Sequence, residues 1–266
     1  NFGFGFVEVG TIPPKAQEGN PKPRIFRIID DQAVINRMGF PSKGLKYCVR
    51  QLKKGKHHNY ILAGNIGKNS ATSNDMAVDD YLLSFRALYD HVDFFVVNLS
   101  CPNVKDLTKL QDSASQTEII SALTKFRRGQ NDYKPICVKI SPDLTKEQID
   151  STIDVIKATN IDGIVATNTT TSREGLTIGQ ERIDAIANGG MSGATLTKKA
   201  IETVRYIHDS TNGIFPIIGV GGIMTPEDAI AMLDAGASLI QVYTGFIYNG
   251  PRFVRQICKE IIKQGK

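Results

Sequence analysis

The sequence contains no tryptophan and only four cysteines, Cys48, Cys101, Cys137 and Cys258, with no CxxC pair among them. So few and so scattered, they exclude a disulfide-stapled secreted scaffold and point to a reducing compartment. No apolar run approaches the ~18 residues that a membrane-spanning helix needs. The opening residues lack the basic segment and cleavage site of a secretory signal, and there is no initiator methionine. Repeats, low-complexity tracts and a dividing linker are also missing. His91 and His208 lack companions at metal-ligand spacing, so no metal site is expected. Charge of one sign is scarce too. The 32 Lys and Arg against 27 Asp and Glu leave +5 over 266 residues, weak grounds for nucleic acid or another polyanion. The basic run Lys43, Lys46, Arg50, Lys53, Lys54 and Lys56, with His57 and His58, has helical spacing and reads as a solvated face.

What is present points to an α/β protein. The length is close to the ~250 residues of a (β/α)8 barrel. Seven short β-rich runs occur at residues 6–9, 60–64, 94–99, 136–140, 163–166, 216–220 and 239–242. Most are continuously apolar, as in strands buried on both faces. Helix-like stretches lie between most of them. Residues 78–91 carry an apolar stripe, residues 145–159 open on a capping-box pattern, and Thr225-Pro226-Glu227-Asp228 caps a helix that stops at Gly236. Alternating βα units imply a parallel sheet, closed as a barrel or open and doubly wound. Residues 11–29 suggest a hairpin insertion, and residues 169–195 a long ligand loop or lid.

Every run ends in groups that hydrogen-bond or in glycines that let backbone approach a ligand. These are Gly10-Thr11, Asn65, Asn98 to Asn103, Lys139, Thr167-Asn168-Thr169, Gly221-Gly222 and Tyr243-Thr244. In a barrel such ends converge on one face, where the site lies. The glycine-rich segments around Gly190–Gly193 and Gly219–Gly222 suit a phosphate, or are plain tight turns. No GxGxxG opens a helix, which favours a mononucleotide over a dinucleotide. Lys139 ends an apolar strand and must reach the barrel mouth, as a cation beside an electron-rich ring, or snorkel to solvent. Cys101, in a mouth loop, admits two readings: a base or nucleophile, or an inert small buried residue. Cys48, Cys137 and Cys258 fall in helix or strand patterns and read as packing.

The chain resembles the dihydroorotate dehydrogenase family. The resemblance runs in order through Gly3 to Thr11, Gly19 to Arg24, Ile35 to Phe40, Asn65 to Asn69, Asn98 to Asn103, Ala166 to Thr170, Gly190 to Gly193, Ile218 to Ile223 and Gln241 to Thr244. Arg24 to Arg27 with Gln32 to Arg37 looks like the quinone-linked class 2 enzymes. The resemblance implies a single FMN-binding TIM barrel domain over residues 1–266 that oxidises dihydroorotate to orotate in pyrimidine (UMP) synthesis. A base takes the C5 proton while hydride passes from C6 to flavin N5. By motif, the base position is Cys101. Orotate contacts fall on Asn36, Gly39, Phe40, Asn98, Asn103, Asn168 and Thr169. FMN contacts fall on Gly10, Thr11, Asn65, Asn98, Lys139, Thr167, Ser192, Gly193, Gly221, Gly222, Tyr243 and Thr244. Arg27 resembles the arginine of the quinone tunnel.

Two positions depart from the class 2 pattern. Cys101 stands where that class has Ser, and Val104 where it has a proton-relaying Thr. Cysteine is the more acidic group and is expected to need less help as a base. The resemblance also implies that the seven runs are strands two to eight. A first strand and an N-terminal helical pair, which docks on the membrane and forms the quinone entrance, are then absent from this chain. Quinone as acceptor, peripheral contact with the cytoplasmic side of a bacterial membrane through that absent region, and no nucleic-acid partner are the expectations. A class 1-like cytoplasmic enzyme using fumarate or NAD is the alternative. Other readings are a dihydropyrimidine or dihydrouridine flavin barrel, a flavin-free sugar-phosphate isomerase or lyase, and an inactive fragment.

Overall fold

The computed structural model describes residues 2–54, 60–104 and 106–266. Among the described residues, ten strands form two sheets. The main sheet holds seven parallel strands in the order β1 (Phe6–Ile12), β4 (Ile61–Ile66), β5 (Phe94–Asn98), β6 (Ile136–Ile140), β7 (Gly163–Ala166), β9 (Ile217–Val220) and β10 (Leu239–Gln241). The small sheet joins the hairpin β2 (Ile25–Ile28) and β3 (Ala33–Asn36) to β8 (Gly190–Gly193), all antiparallel. The helices are α1 (Leu45–Lys54), α2 (Ala77–Leu88), α3 (Ser113–Arg128), α4 (Lys146–Thr159), α5 (Gln180–Ile186), α6 (Thr197–Ser210), α7 (Pro226–Asp234), α8 (Thr244–Asn249) and α9 (Phe253–Lys263).

All seven expected strands form; of the hairpin expected within residues 11–29, β2 lies there but its partner β3 falls beyond, at Ala33–Asn36. The run at 169–195 differs from its expectation of one long loop, because α5 and β8 form inside it. Met191 and Gly193 of β8 pair with Ile35 and Ala33 of the hairpin, a partner more than 150 residues away that local composition does not reveal. β1 also runs on through Gly10 and Thr11 rather than ending before them. On α1, Lys46, Arg50, Lys53 and Lys54 are exposed, as is Lys43 just before it, so this part of the basic run is a solvated face. Lys56, His57 and His58 lie outside the described residues.

Side-chain alternation divides each strand between two environments. Val7 and Val9, Phe95 and Val97, Val138 and Ile140, and Ile164 and Ala166 pack outward into the main core with the helices. Phe6, Ala63, Phe94, Val96, Cys137, Val165, Ile218 and Val220 form a separate apolar cluster on the inner face. One step of the same parity further on, the inner face turns polar: Glu8, Asn65, Asn98, Lys139 and Thr167. β1 and β10 are not backbone-paired, yet Gln241 Nε2 donates to Glu8 Oε2 at 2.9 Å across the interior. The sheet is therefore curled, and this chain supplies seven strands of a (β/α)8 barrel.

Helix ends follow sequence chemistry. Thr145 and Gln148 form a full capping box on α4, and Thr225 and Asp228 form another on α7, with Pro226 at the first turn. Thr225→Ala is expected to lower stability by about 1 kcal/mol, read from the urea midpoint at unchanged m-value.

Candidate functional site

Three donors converge on the Glu8 carboxylate. Asn65 Nδ2 reaches Oε1 at 2.7 Å, Gln241 Nε2 reaches Oε2 at 2.9 Å, and Lys139 Nζ lies 3.3 Å from Oε1. Burial opposes the charged form, but the Lys139 charge and the hydrogen bonds from Gln241, Asn65 and Lys139 outweigh it. The carboxyl is held below its ordinary range. The network continues along the strand ends. Thr11 Oγ1 donates to Asn65 Oδ1 at 2.6 Å and accepts from Asn98 Nδ2 at 3.0 Å. Asn168 Nδ2 donates to Asn98 Oδ1 at 3.2 Å and to Ser100 Oγ at 2.9 Å. Ser100 Oγ closes the circuit onto the Lys139 carbonyl at 2.8 Å.

A second group lies between the hairpin and the loop after β5. Asn103 Nδ2 donates to Asn36 Oδ1 at 3.1 Å, and Asn36 Nδ2 reaches the Gly190 carbonyl at 3.4 Å. Asn20 Nδ2 holds the Asn103 carbonyl at 2.9 Å, and Gln17 Nε2 holds the carbonyls of Gly39 and Phe40 at 3.0 Å each. Gly190 abuts Thr169 so closely that a Cβ there would collide with the Thr169 hydroxyl. Cys101 follows β5 and is buried in the core cluster with Val104 and Leu107. Burial pushes its thiol up to about 11, with the Asn103 backbone and the Lys139 charge pulling back only in part. The expected ease of a cysteine base is thus offset by burial, and at neutral pH the group is a thiol.

The remaining strand ends face a different chemistry. Ser192 Oγ lies 2.9 Å from Thr244 Oγ1, joining β8 to the first turn of α8. Gly221 and Gly222 have φ of +133° and +68°, and a Cβ on Gly222 would strike the Thr197 backbone, so only glycine turns the chain there. Thr167 and Thr244 are buried, and Tyr243 is exposed. Hydroxyls, glycine backbone and the half-buried Lys139 make a donor set whose chemistry would suit a phosphate and an electron-accepting ring. Arg27, on β2, is exposed, and its guanidinium stacks 5.6 Å above the Tyr248 ring. Tyr248 in turn donates to the carbonyls of Ile28 and Ala33, at 3.2 and 2.9 Å, tying the hairpin to α8.

A family model described as "Dihydroorotate dehydrogenase" matches residues 1–264. The "Dihydroorotate dehydrogenase (quinone)" of Christiangramia forsetii is 49% identical over 265 residues, covering 100% of this chain and 76% of that one. The chain belongs to the dihydroorotate dehydrogenase family. The relative of the same name from Saccharophagus degradans is 43% identical, covering 99% of this chain and 78% of that one. The crystal structure of DHODH in complex with ferulenol from Eimeria tenella superposes with a TM-score of 0.91 at 38% identity. It covers 98% of this chain and 75% of that chain. The TIM barrel of the family is the fold of this chain.

Within this dihydroorotate dehydrogenase fold, three members of the network escaped the reading of the sequence. Glu8 carries the same signal as Lys139, one charged residue inside an apolar strand, and that signal was sufficient to find it. Gln241 and Ser100 carry no such signal. Asp143 is a fourth. It accepts from Thr170 Oγ1 at 2.5 Å, from the Thr171 backbone at 2.7 Å and hydroxyl at 2.9 Å, and from Lys199 Nζ at 2.7 Å. Burial raises its carboxyl, but Lys199 and the two threonines outweigh burial and lower it. Asp143 thereby clamps the loop that carries Asn168 and Thr169. It also lines a cavity of about 710 Å³ that runs past Pro102 and Thr171. Asp143→Ala is expected to raise KM for dihydroorotate about tenfold, the cost of ~1.4 kcal/mol in positioning, with a smaller change in kcat. Steady-state kinetics at fixed acceptor checks it.

Proposed function

We propose that this chain is the FMN-binding catalytic domain of a quinone-linked dihydroorotate dehydrogenase, one domain over residues 1–266 that converts dihydroorotate to orotate in UMP biosynthesis. The observation that carries the reading is the continuous hydrogen-bonded network from Glu8 and Lys139 to Asn168, with Cys101 directly after its member Ser100 in the chain. Asn36, Asn98, Asn103 and Asn168 supply amide donors and acceptors suited to the imide N–H and C=O groups of orotate. Gly39, Phe40 and Thr169 are assigned to the same ligand. The deprotonated fraction of Cys101 takes the C5 proton. FMN would supply the acceptor for the C6 hydride. Lys139 stabilises negative charge on the reduced ring, and Gly10, Thr11, Asn65, Thr167 and Tyr243 complete the cofactor contacts. Arg27, exposed on the hairpin, faces the acceptor side. The names of the curated relatives support quinone as that acceptor.

Among the described residues no helix is long and apolar enough to cross a membrane. On the likeness to the quinone-linked relatives, we assign membrane contact to a peripheral mode on the cytoplasmic side. Cys101 is the observation that favours the second reading, a class 1-like enzyme using fumarate or NAD in the cytoplasm. Anaerobic mixing with dihydroorotate should bleach a bound flavin, and a ubiquinone analogue should restore its colour. A colourless protein overturns the flavin assignment. Reoxidation by fumarate alone, with quinone inert, moves the enzyme to class 1.

A further inference from the structure

We propose that Glu8 is a positioning residue whose carboxylate orients Asn65 and Thr11 at the head of the amide chain that runs to Asn168, and anchors the Lys139 ammonium. The inference rests on the functional reading above for the identity of the ligands, orotate and FMN.

The argument follows proton counting. An ionised carboxylate only accepts. Asn65 must therefore turn its Nδ2 toward Glu8, which leaves its Oδ1 facing Thr11. The Thr11 hydroxyl commits its single proton to that oxygen and can then only accept from Asn98 Nδ2. Asn98 is left presenting Oδ1 to Asn168 Nδ2, and Asn168 turns its own Oδ1 to the Thr169 backbone N–H at 2.8 Å. Backbone N–H groups of Ser100 and Thr169, donating to Asn98 Oδ1 and Asn168 Oδ1, hold the far end of the chain in the same sense, so the carboxylate is the anchor that acts on Asn65 and Thr11. A neutral amide at position 8 offers both a donor and an acceptor, so Asn65 satisfies it either way round and the chain loses the anchor at its Glu8 end. The same carboxylate is the acidic partner of Lys139, whose side chain is 14% exposed. Ion pairing places the ammonium and offsets part of its field. Glu8 touches neither ligand in this reading; it acts through Asn65, Lys139 and Gln241.

Holoenzyme carrying Glu8→Gln tests both halves. Calorimetric titration with orotate reads the amide chain without a flavin signal, and the affinity is expected to fall between about tenfold and a hundredfold. Sulfite titration of the oxidised flavin reads the uncompensated lysine. Its affinity should tighten about tenfold, equivalent to about 30 mV upward in a two-electron potential. Glu8→Asp, which keeps the charge, should recover most of the orotate affinity. Thr11→Val breaks the amide chain one link beyond Glu8 while leaving the ion pair, so orotate binding should weaken. Should Glu8→Gln fail to fold, Glu8→Asp and Thr11→Val still decide the matter. Orotate affinity within twofold of wild type in Glu8→Gln or Thr11→Val overturns the proposal, as does weaker sulfite binding in Glu8→Gln. A wild-type protein that binds orotate but holds no flavin overturns the functional reading instead, and leaves the orotate titrations to judge Glu8.

Discussion

Cys101→Ala is expected to abolish reduction of the bound flavin by dihydroorotate while the flavin itself stays bound. The reason lies in where the thiol sits. It follows the last residue of β5 by three positions and faces the loop of Asn103, whereas the glycines and hydroxyls assigned to the phosphate belong to β8, β9 and α8. Removing Sγ deletes the proton acceptor without touching those elements. Positioned general bases contribute on the order of 10²–10⁴ in rate, so single-turnover bleaching should slow by at least a hundredfold. The buried thiol, pushed up to about 11, adds a second signature. The base form is deprotonated and scarce at neutral pH, so kcat/KM should climb about tenfold per pH unit between pH 7 and 9. Near-normal bleaching by Cys101→Ala would remove the residue from the mechanism, and a flat kcat/KM profile would show that no thiol ionisation of the free enzyme limits the reaction in this range.

The second large effect belongs to stability at the opposite end of the barrel. Arg127, 7% exposed at the end of α3, pairs with Asp162 Oδ2 at 2.5 Å and donates to the carbonyls of Asn160 and Lys134 at 3.0 and 3.3 Å. Asp162 also accepts the Ile136 backbone N–H at 2.8 Å and the Tyr133 hydroxyl, and the Arg127 guanidinium lies 4.5 Å over the Tyr133 ring. One carboxylate thus joins α3 to the entrances of β6 and β7. Asp162→Ala leaves a buried guanidinium and a strand N–H without their acceptor. Breaking a buried pair from one side costs about 3–5 kcal/mol. The Asp162 side chain is partly exposed, at 24%, so the lower end, about 3 kcal/mol, is expected. Chemical denaturation of holoenzyme should show it as a lower midpoint, and a loss under 1 kcal/mol would mean that water replaces the carboxylate freely.

The architecture was legible because its signals are local. Short β-rich runs, most of them continuously apolar, marked all seven parallel strands, and Thr145 and Thr225 marked helix starts with their own side chains. Motif order carried the family. β8 was not legible, since Gly190-Met191-Ser192-Gly193 has the composition of a turn and becomes a strand only by pairing with the distant hairpin. Lys139 was read as a cation at the mouth, yet its placement depends on Glu8, 131 residues away in sequence.

By itself, then, the sequence determined the periodicities, the caps and the residue types that line the strand ends, because each is written within a few neighbouring residues. The tertiary structure decided which of those groups meet. Closing the sheet brings Gln241 to Glu8 across 233 positions and aligns Asn65, Asn98 and Asn168 into one chain of hydrogen bonds. Burial then sets their chemistry, raising the Cys101 thiol and demanding a cation for Glu8, since desolvation depends on what surrounds a group and not on its neighbours in sequence.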